Sequence, residues 1–126
     1  RNPWVSYAIA HENSSNDFLI TGGGSSVEGV VVRTSYALFE EADRVPAVRD
    51  YLEMMKTYQP SGKVSGLGMQ SLSAFLLFST AAKNCVVNNV SLLTRSCIAQ
   101  EISKISEWTG GGLHPPSEQL LKSKYS

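Results

Sequence analysis

The chain has 126 residues, 42% of them hydrophobic and 17% charged, which are the proportions of one globular domain with a modest core. Eleven basic and eleven acidic side chains cancel, which leaves no electrostatic footprint for nucleic acid or an anionic membrane. No apolar run reaches the roughly 18 residues of a membrane span, and His11 and His114 stand too far from Cys85 and Cys97 to give zinc-ligand spacing.

Residues 3–10 (PWVSYAIA) are apolar, and at this length they fit a strand or a helical turn equally. A polar loop follows at 11–17. Gly22, Gly23 and Gly24 precede a strand, not a helix, so they read as a plain turn and not as a phosphate cradle. The clearest strand is 27–34 (VEGVVVRT). Its unbroken Val30-Val31-Val32 run is the pattern of a strand buried on both faces. An irregular segment with Tyr36 and Phe39 leads on to Asp43, placed to cap the next helix, and to Pro46 in that helix's first turn.

That helix is expected over 46–58. Val48, Leu52 and Met55 recur at i, i+4 and i+7 with Tyr51 and Tyr58 beside them, and Arg49, Asp50, Glu53 and Lys56 fill the other face. Glu40, Glu41 and Asp43 read as solvated surface. A turn at 59–63 precedes a helix from about Gly68 to Asn84, apolar almost all round, as in a helix buried between layers. Its small hydroxyls (Ser71, Ser73, Ser79, Thr80) can bond back to the backbone one turn earlier. At its start, Gln70, Ser71 and Ser73 either cap the helix or face a ligand at its free N–H groups.

Residues 86–93 read as a loop, and Thr94 as the cap of a second helix. On that helix Cys97, Glu101 and Lys104 track one face, and Ile98, Ile102 and Ile105 the buried one. The run EWTGGGLHPP ends it with glycines that permit left-handed turns and prolines that forbid continuation. Residues 115–126 read as a loose tail on a single domain or domain fragment covering 1–126. Cys85 and Cys97 are either two buried thiols or one disulfide, which would be worth roughly 3 kcal/mol and would indicate an oxidising compartment.

In their order and spacing these segments resemble the C-terminal part of type I periplasmic-type solute-binding proteins. The branch is that of the branched-chain amino-acid receptors of ABC transporters. The resemblance covers about 17–114. It is carried by Glu28-Gly29 leading a strand, the Tyr51-Leu52 pair, Gln70-Ser71-Leu72-Ser73-Ala74 opening a long apolar helix, Leu93-Thr94-Arg95 leading into the next helix, and Trp108 with Gly110, Gly111 and Gly112. Leu72 stands where the family has an aromatic residue.

The resemblance implies an α/β fold, a partial lobe with helices packed on a mainly parallel sheet. It implies the later part of a two-lobed receptor that closes non-covalently on an amino acid or similar solute and docks on a membrane permease. Gln70, Ser71 and Leu72 would line the cleft edge, with Tyr36 near the crossover to the other lobe. It also implies a Cys85–Cys97 disulfide, an extracytoplasmic location (a membrane-anchored lipoprotein included) and no cofactor or metal. Two other classes remain beside it. One is a truncated receptor lobe that self-associates through exposed strand edges. The other is a small enzyme using His11, His114 or a thiolate at Cys85 or Cys97, for which no nucleophile and base share a recognisable spacing. The chain is therefore read as a binding protein and not as an enzyme.

Overall fold

The computed structural model describes residues 9–11, 21–88 and 93–117. Ile9–His11 (β1) pairs in parallel with Val31–Arg33 (β2), Ile9 opposite Val31. A 3-10 turn at Gly24–Val27 lies between them, and a second at Phe39–Glu41 follows β2. Three helices come next: α1 (Pro46–Tyr58), α2 (Gly66–Asn88) and α3 (Arg95–Ser103). A loop from Trp108 to Ser117 is closed by an antiparallel bridge, with both N–H···O bonds at 2.9 Å.

The expected α/β lobe, with helices packed on a mainly parallel sheet, is therefore not formed. The described residues are mostly helical, and their strand pairing is a ribbon of two three-residue strands. The valine run that suggested a doubly buried strand lies open, Val31 at 55% and Val32 at 45% exposure. A β-branched run raises strand propensity whether or not a layer covers it. Among the described elements the main neighbour of β2 is β1, and within the run only Val30 is half-buried. Gly24 (φ 49°), the first residue of the 3-10 turn, and Gly29 (φ 80°), two residues beyond it, take the left-handed conformation.

The first helix has the expected bounds, with Pro46 at its first position. Its cap differs: the N-cap is Val45, which makes no side-chain cap, and Asp43 is exposed. The helix is instead fed by the preceding turn, where the Arg44 and Val45 N–H groups both donate to the Glu41 carbonyl at 2.8 Å. Val48 and Tyr51 are buried, and Leu52 and Met55 are half-buried. Tyr58, on the last turn, extends past the core and is exposed.

The second helix is longer than its sequence pattern suggested at both ends. It starts at Gly66, where the Ser65 hydroxyl accepts the Gly68 N–H at 3.1 Å and satisfies a first-turn donor. At the far end Val86 and Val87 are helical and not loop. It is not buried all round either. Met69, Ser73, Ala81 and Cys85 are buried and Leu77 is half-buried, at a spacing of four. Each step of four residues advances about 40° around the axis, so this ridge turns by about 160° from Met69 to Cys85. Its N-terminal half meets α1 and the closing loop, and its C-terminal half meets α3. The remaining side, with Leu67, Phe75, Phe78, Val86 and Val87, is exposed.

Met69 joins Val48, Tyr51 and Leu113 in the central cluster, with Tyr36, Phe39, Leu52 and Leu72 among the residues packed around it. The Phe39 and Tyr51 rings stack at 6.3 Å. No Cβ fits at Gly68, because it would overlap the Tyr51 hydroxyl. On α3 the buried residue is Glu101, while Ile98 and Ile102, expected on the buried face, are half-buried, as is Ile105 just past the helix end. Glu101 tolerates this position because its carboxylate accepts a charge-assisted hydrogen bond from Lys104.

The two-sided character of α2 gives a direct expectation. Met69→Ala should cost about 2–5 kcal/mol of unfolding free energy, and Phe75→Ala no more than about 0.5 kcal/mol, as read by urea denaturation.

Candidate functional site

Chemistry-bearing side chains converge at the middle of α2. Ser73 lies on the buried ridge, one step of four beyond Met69, and is 3% exposed. A buried hydroxyl needs partners, and it takes them from the closing loop. The Trp108 indole N–H donates to Ser73 Oγ at 3.0 Å, and His114 Nε2 lies 2.8 Å from the same oxygen. His114 Nδ1 is 2.8 Å from the Pro115 carbonyl, which can only accept. In the neutral ring Nδ1 therefore carries the hydrogen, and Nε2 accepts the Ser73 O–H. The Tyr36 ring packs on the imidazole at 4.8 Å, tilted by 56°.

Backbone geometry makes this convergence possible. Gly110, Gly111 and Gly112 have φ of 62°, 76° and 107°. The loop tightens on itself as the Gly112 and His114 N–H groups donate to the Thr109 carbonyl at 3.1 and 3.2 Å. A Cβ at Gly110 would stand 2.5 Å from Ser73 Oγ and 3.0 Å from His114 Nε2. The residue must therefore be glycine for the loop to reach the helix. Beyond the turn, Leu113 enters the core and its carbonyl accepts the Ala37 N–H at 2.8 Å.

Hydroxyl, imidazole and carbonyl are linked in the order of a nucleophile, a base and an orienting group. In this conformation, however, the hydroxyl is covered and Trp108 already donates to it, so no acyl donor reaches it. The node works as a polar clamp between loop and helix. Ser73, expected either to bond back one turn or, with Gln70 and Ser71, to cap the helix or face a ligand, instead bonds to Trp108 and His114. Thr80 does bond back to the Leu76 carbonyl, at 2.8 Å, but Ser73 does not follow that pattern. The available signal was the position of Ser73 on the same four-residue ridge as Met69, together with an indole and an imidazole that needed polar partners.

The four proposed ligand residues are only partly brought together. Tyr36 and Leu72 pack against the same central cluster, half-buried. Tyr36 reaches α2 through His114. Ser71 is exposed and Gln70 half-buried, both more than a turn inside the helix, away from the first-turn N–H groups. Cys85 and Cys97 form a disulfide that joins α2 to α3. Thr94 caps α3 as expected, its hydroxyl accepting the Cys97 N–H at 3.2 Å. The described backbone of His11 is in β1, remote in sequence from this node. Among the described residues, no group of three His, Cys, Asp or Glu gathers as a metal site, and no helix is long and apolar enough to cross a membrane.

Two glycine substitutions separate the clamp from the turn. Gly111→Ala meets open space and should cost about 1–2 kcal/mol for its left-handed backbone alone. Gly110→Ala should cost about 1–3 kcal/mol more, because it also displaces the buried hydrogen bonds of Ser73. Chemical denaturation of the two variants reads the difference.

No family model, curated protein or solved structure matches the chain.

Proposed function

We propose that the chain is the solute-binding component, or part of one, of an ABC uptake system, holding an amino acid or similar small molecule without making or breaking a covalent bond. The observation that carries this reading is the junction at Ser73. The segments on which the resemblance rests, Gln70–Ala74 and Trp108–Gly112, lie more than thirty residues apart in sequence. They meet where the Trp108 indole N–H donates to the Ser73 hydroxyl. The disulfide supports an extracytoplasmic location, where such bonds form and persist.

In this reading Gln70 and Ser71 supply the amide and hydroxyl that hydrogen-bond a polar solute, and Tyr36 and Leu72 supply apolar wall. Such a mixture of apolar lining and a few polar groups is what small-molecule sites require. Leu72, in place of an aromatic, offers bulk without a π-face. A membrane permease is the protein partner. A second reading, a self-associating receptor fragment, is favoured by the exposed apolar side of α2 and by the open valines of β2.

Titration calorimetry with a panel of aliphatic L-amino acids tests the proposal on two proteins, the 126-residue chain and the product of its full native reading frame. The full product should bind one equivalent of a solute with micromolar affinity, and the 126-residue chain alone weakly or not at all. Absence of binding by the full product across amino acids and related small solutes would contradict the proposal.

A further inference from the structure

The two cysteines of the disulfide are not equally buried. Cys85 is completely buried on the ridge of α2, whereas Cys97 keeps part of its surface in solvent. Cys97 sits in the first turn of α3, with its N–H held by the Thr94 hydroxyl. Thiol–disulfide exchange proceeds by attack of a thiolate on one sulfur and departure of the other, so access decides which sulfur is attacked. From this asymmetry we infer that Cys97 is a modification site for small thiols: the disulfide opens in one direction only, by S-thiolation of Cys97.

The step balances as follows. The thiolate of a low-molecular-weight thiol attacks Cys97 Sγ. A new S–S bond forms between that thiol and Cys97 as the Cys85–Cys97 bond breaks. The electron pair leaves with Cys85 Sγ, which takes a proton from solvent. Cys85 then lies beside the adduct and can reverse the step by expelling the small thiol. Leaving-group chemistry alone would favour the opposite direction. A thiolate leaves more easily from the first turn of a helix, where Cys97 is, than from a buried position in the last turn, where Cys85 is. The fold therefore sets access against leaving-group preference, and the sealing of Cys85 decides the outcome. Opening is slow as a consequence, since the accessible attack expels the poorer leaving group. Unfolding removes both effects.

The test uses the folded chain and reduced glutathione. Native protein is incubated with excess glutathione and quenched with acid. Free thiols are alkylated with N-ethylmaleimide in denaturant, and peptide mass spectrometry locates both labels. The inference expects glutathione on Cys97 with maleimide on Cys85, in about tenfold or greater excess over the reverse pair. The same reaction in guanidinium chloride should bring the ratio to within about twofold of unity. An equal or reversed distribution in the native protein would overturn the inference. So would the absence of any native adduct over several times the period needed for full reaction in denaturant, because Cys97 would then be as sealed as Cys85.

Discussion

The hydroxyl of Ser73 is the point on which the arrangement of the described chain depends. It is buried, it accepts the Trp108 indole N–H, and it donates to the His114 imidazole. A buried donor or acceptor without a partner costs about 1–3 kcal/mol, so three side chains from two distant segments hold one another in place. The consequence reaches further than the three. The loop that carries Trp108 and His114 also carries Leu113, the one member of the central cluster supplied from beyond α3. Through the Leu113 carbonyl the loop also fixes Ala37. The segment after β2, the middle of α2 and the chain beyond α3 are thus tied at a single place.

The two halves of α2 are held by different means. Around Met69 and Ser73 the helix is packed against α1 and clamped by hydrogen bonds. Around Ala81 and Cys85, after the buried ridge has turned to another side, it is joined covalently to α3. A disulfide closing a loop of this size contributes about 3 kcal/mol, chiefly by restricting the unfolded chain. That is a large share for a short helix whose isoleucines are only half-buried and whose one buried residue is a paired glutamate. The side of α2 turned away from both contacts carries Phe75 and Phe78 in the open. It is the apolar surface that the reading of the chain as a receptor fragment draws on.

Legibility in the sequence followed local physics. The bounds of α1, its proline at the first position, the Thr94 cap and the left-handed glycines all follow from contacts within a few residues, and each can be read from the letters alone. The Cys85–Cys97 pairing was implied by family resemblance and not by spacing. Apart from the Asp43 cap and the ends of α2, what failed depended on neighbours far away in sequence. Val30-Val31-Val32 has the composition of a buried strand, but burial requires a layer over it, and composition carries no information about that layer. Likewise α2 is apolar on every side, so its pattern could not say which side would be covered. The Ser73 clamp was hidden for the same reason, since its partners lie 35 and 41 residues away.

The claim that this hydroxyl couples loop to helix is most directly tested by a double-mutant cycle between Ser73→Ala and His114→Ala, read by urea denaturation at neutral pH. Residues that share a buried hydrogen bond should show a coupling of about 0.5–3 kcal/mol, with the double variant losing less than the sum of the single losses. Additivity within about 0.3 kcal/mol would mean that the two side chains act independently, and would contradict the account.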